Sequence, residues 1–227
     1  MMRSSGTVRV NGQCLFYVVQ GNGRPVILLH GNGGSNYDLE PTAAVLEANG
    51  YLVYSIDSRG QGMNAPVKEY HYADMAEDVY QFIRAQGLMR PAIFGWSDGG
   101  NVALQMEVLH PGTCGLIITS GSNIFPEGVG FGVIENFKAH APNIPPLMQM
   151  MIDEPVMTFR QMEQIKCPAL ICAGEHDLIL ESHTRQIAQS IPNGQVLIIR
   201  DADHSSHIMY NSRMGRIVVE YLHRMKY

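Results

Sequence analysis

Cysteine is scarce in this chain of 227 residues: only Cys14, Cys114, Cys167 and Cys172 are present. They sit in apolar runs rather than at metal-ligand or disulfide spacings, the pattern of buried free thiols in a reducing compartment. Positive charge is also short, with 16 Lys and Arg against 21 Asp and Glu and a formal net charge of -5. No basic run or clustered Lys/Arg face appears, which excludes a nucleic-acid partner. No stretch approaches the roughly 18 apolar residues of a membrane span. The N-terminus, Met1 to Gly12, is polar and lacks an apolar signal core. A cytoplasmic protein with no membrane partner is the expectation. Internal repeats and low-complexity segments are absent, and no Asp, His or Cys falls at metal-ligand spacing. Neither a metal nor a cofactor is therefore expected, and the oligomeric state has no signature.

What is present is a globular composition, 45% hydrophobic and 16% charged, enough for one domain over residues 1–227 with a sizeable core. Thr7 to Val10, Asn11-Gly12 and Cys14 to Gln20 read as a hairpin closed by an Asn-Gly turn. Val26 to Leu29 is a continuous apolar run, as in a strand buried on both faces. From there strands and helices alternate. Helical spacing covers Tyr37 to Asn49, Tyr72 to Gln86, Asn101 to His110, Glu181 to Ser190 and Ser206 to Lys226. Strands are read at Tyr51 to Ile56, Ala92 to Phe94, Gly115 to Thr119, Ala169 to Ala173 and Gln195 to Arg200. This rhythm predicts an α/β fold, a mostly parallel doubly wound sheet with helices on both faces. Ligands in such sheets lie at the carboxyl ends of the strands. Residues 123–166 break the rhythm with Pro126, Pro142, Pro145, Pro146 and Pro155 and with Met148, Met150, Met151, Met157 and Met162. They read as a short lid insertion between the sixth and seventh strands. Helices are expected near Val133 to His140, Pro146 to Ile152 and Val156 to Gln164. The methionines either line an adaptable pocket or pack the lid onto the body.

Gly95-Trp96-Ser97-Asp98-Gly99-Gly100 stands between a strand and a helix. Gly-x-Ser-x-Gly in that context is a nucleophile elbow: the chain reverses sharply, and side chains two residues either side of the serine would clash. A serine hydroxyl needs a base, and the base needs an orienting acid. Histidine suits the base because it titrates near neutrality. Asp177 and His204 follow successive later strands, so both can reach Ser97. Asp57 is a second candidate acid, and His207 a second candidate base placed in the first turn of the last helix. His176 is expected to face solvent, and His30 to bond backbone.

The order Ser97, Asp177, His204 resembles that of the α/β-hydrolases. So do Leu29-His30-Gly31-Asn32-Gly33-Gly34, Asp57-Ser58-Arg59-Gly60-Gln61-Gly62, Ala173-Gly174-Glu175-His176-Asp177 and Asp203-His204-Ser205. The resemblance spans nearly the whole chain. It implies Ser97 as nucleophile, His204 as base and Asp177 as orienting acid. It also implies an oxyanion hole made by the backbone N–H groups of Asp98 and Asn32. The chain departs from the family pattern where Asp201-Ala202-Asp203 precedes the histidine in place of glycines, and where Gln61 replaces the usual histidine of Arg-Gly-His-Gly.

The implied activity is hydrolysis of a small carboxylic ester through an acyl-enzyme. The same triad also serves C–C bond hydrolysis, lactone hydrolysis and acyl transfer. A non-catalytic ligand receptor that reuses the fold is the alternative from another class. Substrate contacts are expected from Gly31, Trp96 and Asp98. The Asp98 carboxylate either pairs with a substrate ammonium, as the resemblance to amino-acid ester hydrolases implies, or simply favours the helix N-terminus.

Overall fold

Asn11 and Gly12 both take positive φ, 46° and 74°, as a two-residue hairpin turn requires. In the computed structural model, which describes residues 3–227, they close β1 (Ser4–Val10) onto β2 (Gln13–Gly21). The following strands are β3 (Arg24–Leu29), β4 (Tyr51–Ile56), β5 (Ala92–Trp96), β6 (Leu116–Ser120), β7 (Ala169–His176) and β8 (Gly194–Asp203). All join one sheet in the order β1-β2-β4-β3-β5-β6-β7-β8. β2 runs antiparallel to β1 and β4, and every other pair is parallel. The chain moves outward from β3 to β4, then returns to the other side of β3 as β5. That reversal leaves a crevice between the carboxyl ends of β3 and β5, where such sheets bind ligands.

The apolar strand runs are buried on both faces because helices cover both. Alternate residues of β3 divide between two cores: Ile27 and Leu29 face one, Val26 and Leu28 the other. The first core receives α2 (Tyr72–Ala85) through Met75, Val79, Phe82 and Ile83, and α3 (Asp98–Leu109) through Val102, Ala103 and Met106. The second receives α1 (Glu40–Ala48) through Ala43 and Leu46. The last helix (Arg213–Arg224) joins the second core through Val218 and Leu222. Each of these Val, Leu, Ile, Phe and Met side chains contributes about 1.5–3 kcal/mol on burial.

Several boundaries differ from expectation. The first helix is preceded by a 3-10 turn, Asn36–Leu39, started by a capping box between Ser35 and Asp38. α3 begins at Asp98 rather than Asn101. β7 and β8 each run three residues further than their apolar runs, and they stay paired past a bulge as far as His176 opposite Asp203. The last helix starts at Arg213, not Ser206. Asp203 instead holds a turn by accepting from the N–H groups of Ser205 and Ser206. Tyr210 turns left-handed at φ 53°, and Asn211 accepts from the Arg213 N–H. His207 therefore lies in that turn, outside the helix. Cys114, Cys167 and Cys172 are buried as free thiols, but Cys14 is exposed. Leu15 takes the core side of β2, and side chains alternate along a strand, so Cys14 is turned outward.

Between β6 and β7 lie α4 (Val133–Lys138), α5 (Pro146–Asp153) and α6 (Phe159–Met162). α6 starts late because Thr158 caps it, with its side chain accepting from the Gln161 N–H. Residues before the cap stay extended, and the Met157 N–H reaches the carbonyl of Ile124. The remaining helix, α7 (Glu181–Ser190), packs beside β7 and β8; the last helix is α8. No helix among the described residues is long and apolar enough to cross a membrane.

His183 of α7 anchors the start of the intervening segment. Its Nε2 accepts the Ile124 N–H at 3.1 Å, and Phe125 and Phe159 pack on its ring. Burial pulls its pKa from 6.5 down to about 4. As pH falls, the unfolded chain is protonated at this histidine first, so folding loses stability between those two values; above that window the contribution is complete. The shift corresponds to roughly 3 kcal/mol. His183→Gln keeps an acceptor for Ile124 but does not titrate. Its urea-unfolding free energy should fall less than that of the wild type between pH 7 and pH 4, and equal losses would rule out this role.

Candidate active site

Ser97 stands between β5 and α3 with φ 53° and ψ -120°, a conformation that L residues rarely adopt. The neighbouring glycines make it possible. A Cβ on Gly95 would lie 2.2 Å from the carbonyl oxygen of Gly99, and a Cβ on Gly99 would lie 2.2 Å from that of Leu29. The Ser97 N–H donates to the Ser120 carbonyl at 2.8 Å, and the Ser97 carbonyl accepts from Gly100 and Asn101 at 2.8 and 3.1 Å. The turn is thus bonded to β6 on one side and to its own helix on the other.

The paired ends of β7 and β8 bring the other two candidates together. His176 pairs with Asp203, so the next residues on each strand, Asp177 and His204, emerge side by side. His204 Nε2 lies 3.0 Å from Ser97 Oγ, and His204 Nδ1 lies 2.6 Å from Asp177 Oδ1. A carboxylate only accepts, which fixes the proton on Nδ1 and leaves Nε2 to accept from the serine. Burial pushes the Asp177 carboxyl up. The His204 bond and the N–H groups of Ile179 and Gly174 outweigh this and hold it below its ordinary value. The Gly174 and Ile179 bonds tie Asp177 to β7 and to its own loop, and the N-cap of α7 is Leu180 instead. Gly121, at φ 66°, lies against the imidazole, and a Cβ there would come 2.7 Å from His204 Cε1. Asp203 is held down to about 2 by the backbone N–H groups of Ser205 and Ser206.

The competing residues have other partners. Asp57 Oδ1 accepts from the N–H and side-chain amide of Asn36, and its Oδ2 accepts from Met63 N–H. It braces two loops and does not touch His204. His30 is buried, with Nδ1 bonded to the Gly31 carbonyl and Nε2 accepting from Ser58 N–H at 3.0 Å; burial lowers its pKa. His176 is exposed. His207 is buried and meets Ser120 Oγ at 2.8 Å. It thereby supports the residue whose carbonyl holds Ser97, a link that sequence spacing does not reveal.

Asn32 lies in the loop after β3 and Asp98 opens α3. Neither backbone N–H has a partner among the described residues, so both are free beside Ser97. The Asp98 side chain is not free. Its Oδ1 accepts from Tyr72 Oη at 2.7 Å and its Oδ2 from Asn32 Nδ2 at 2.8 Å. Burial raises its pKa, and those two bonds only partly offset the shift. Trp96 and Gly31 pack close beside Ser97. The Trp96 indole points away behind the site, where Nε1 donates to the His204 carbonyl at 2.9 Å. Gly31 is a packing position: a Cβ there would sit 3.3 Å from both Ser97 Cβ and the Trp96 ring.

A cavity opens on Ser97, Asp98 and His204. Its walls are Val133, Ile134 and Phe137 of α4, Met151 of α5, and Leu178 and Ile179 after β7, with Tyr72, Asn123 and Glu154 as polar members. Met150, Met157 and Met162 are buried in the core instead, so the methionines of 123–166 divide between lining and packing. Glu154 is tied down: Oε1 meets His71 Nδ1 at 2.6 Å and Oε2 accepts from Tyr72 N–H at 3.0 Å. Tyr72 is the residue sequence reasoning missed, because its spacing marks only an amphipathic helix and its buried hydroxyl leaves no trace in the pattern.

Known proteins share this arrangement of elements. The chain is similar to the serine hydrolase BPHL of Mus musculus, 23% identical in an alignment of 252 positions that covers 96% of this chain and 86% of that protein. A bromoperoxidase from Bacillus anthracis superposes with a TM-score of 0.83 at 18% identity, over 96% of this chain and 99% of that one. A meta-cleavage product hydrolase from Pseudomonas fluorescens gives 0.80 at 19% identity, over 97% and 98%. The family model described as the alpha/beta hydrolase fold matches residues 24–137, from β3 through the elbow and α3 to α4 and half of the chain, and the protein belongs to that family.

Proposed function

We propose that the protein is a serine hydrolase that cleaves a small carboxylic ester through an acyl-enzyme. The observation that carries this reading is the unbroken hydrogen-bonded series Ser97 Oγ, His204 and Asp177, with separations of 3.0 and 2.6 Å. Ser97 Oγ attacks the ester carbonyl while His204 Nε2 takes its proton. Asp177 keeps the imidazole in the correct tautomer and stabilises the imidazolium. The carbonyl oxygen becomes an oxyanion between the N–H groups of Asn32 and Asp98, each contributing about 3 kcal/mol. Collapse expels the alcohol, which receives the proton from His204. Water, deprotonated by His204, then attacks the acyl-enzyme and releases the acid and Ser97.

The substrate class follows from the cavity. Its walls are mainly aliphatic and aromatic, which suits a small acyl or alkyl group. Residues 123–166 act as a short lid within a single domain, and Val133, Phe137 and Met151 supply much of the apolar surface. No metal or cofactor takes part in these steps. The likeness to a protein named as a serine hydrolase supports the reaction class.

Two measurements test the reading. A fluorophosphonate probe should label the wild type at Ser97 and leave Ser97→Ala unlabelled; equal labelling of both would refute the nucleophile. On a short p-nitrophenyl ester, Asp177→Asn should lower kcat by about 10³- to 10⁴-fold, because it favours the wrong imidazole tautomer. A loss below about tenfold would remove Asp177 from the orienting role.

A further inference from the structure

We propose that the Asp98 side chain is a positioning residue: it clamps Asn32, and so fixes the spacing between the two backbone donors of the oxyanion hole. The inference rests on the hydrolase reading above. It assigns the carboxylate to the enzyme's own geometry and not to a substrate ammonium.

The two donors come from separate elements. Asp98 N–H belongs to the first turn of α3, whose position is set by the elbow. Asn32 N–H belongs to the loop after β3, in which Gly33 takes φ 68°. Two donors aimed at one oxygen must keep their separation within a fraction of an ångström to be effective. Something must therefore tie loop to helix across 66 residues of sequence, and the direct bond from Asn32 Nδ2 to Asp98 Oδ2 does so at 2.8 Å. The same two residues thus meet twice: their side chains bond to each other, and their main chains face the reacting carbonyl.

The clamp is itself held. Asp98 Oδ1 accepts from Tyr72 Oη at 2.7 Å, and Tyr72 N–H is bonded to Glu154 Oε2 of the lid segment. On the far side of the loop, Gly33 N–H donates to Gln61 Oε1 at 2.7 Å. Asp98 is only 5% exposed, and both of its oxygens already have donors. A clamp uses both donors as they stand.

The experiment uses four variants of the full chain: Asn32→Ala, Asp98→Ala, their double mutant, and Tyr72→Phe. Asn32→Ala and Asp98→Ala keep the backbone N–H donors and remove only the side-chain bond. Three readouts are taken: kcat and KM on a p-nitrophenyl ester, affinity for a trifluoromethyl ketone that forms a tetrahedral oxyanion adduct, and rates on an α-amino ester and its deaminated analogue. In the two single alanine variants kcat should fall about 10- to 100-fold with KM nearly constant. Ketone affinity should fall in parallel, both esters should lose equally, and the double mutant should be no worse than either single. Tyr72→Phe should give a smaller loss of the same kind, and it carries the test with Asn32→Ala if Asp98→Ala does not fold. Loss confined to the α-amino ester, a rise in KM alone, additive losses, or unchanged ketone affinity would each overturn the clamp. Activity surviving in Ser97→Ala would overturn the hydrolase reading itself, so the two failures are distinguishable.

Discussion

Ser97 is held at φ 53°, ψ -120°, a backbone conformation that costs on the order of 1–3 kcal/mol. The surrounding structure is arranged so that no cheaper alternative is available. β5 delivers the chain at the centre of the sheet, and α3 leaves at once because Gly95 and Gly99 let strand and helix approach within contact distance. The Ser120 carbonyl then takes the Ser97 N–H. Ser120 is held in turn by His207 through its hydroxyl. The strain therefore depends on β5, β6, α3 and the turn that carries His207, and relaxing it would disrupt all of them. That stored geometry places the hydroxyl above the sheet edge and the first helical N–H beneath it.

The charges near this turn follow one pattern. Asp177, Asp57 and Asp98 each lie at or just beyond a strand end, and each is satisfied by donors belonging to the fold. Only Asp177 is bonded to the imidazole that reaches Ser97; Asp57 joins two loops and Asp98 joins loop to helix. Burial would otherwise make such carboxylates costly. Where donors are plentiful, as at Asp177, the carboxyl stays below its ordinary value. Where burial is deeper, as at Asp98, it rises. The same residue type thus serves three roles, distinguished by partners and not by position in the sheet.

Much of this was legible in the sequence, for identifiable reasons. The continuous apolar run Val26 to Leu29 and the Asn11-Gly12 turn are local signals, and they locate the sheet and its hairpin. The elbow is local too, because the glycine requirement is steric. Asp177 and His204 could be named because each follows a strand. That they meet depends on the pairing of His176 with Asp203 past a bulge, which no residue pattern encodes. The errors share that origin. The start of α8 was misplaced because Asp203, Tyr210 and Asn211 build a turn from side-chain and backbone bonds that override helical spacing. Cys14 was read as buried because its neighbours are apolar, although strand alternation puts it on the outer face. The bond from the Trp96 indole to the His204 main chain likewise leaves no trace in the sequence pattern. Tyr72 escaped notice because its hydroxyl matters only through a partner 26 residues away.

The position of Trp96 has a practical consequence. It is the single tryptophan of the chain, its indole N–H is bonded to the His204 main chain, and its ring centre lies 6.1 Å from the imidazole. The protein therefore carries one indole fluorophore beside its ten tyrosines, mounted on the reverse side of its candidate base. Excited beyond the tyrosine absorption band, an unlabelled sample emits from a single source, and that source adjoins the candidate base. A stopped-flow trace on the native chain would report events at His204 without a dye, a tag or a chromogenic substrate.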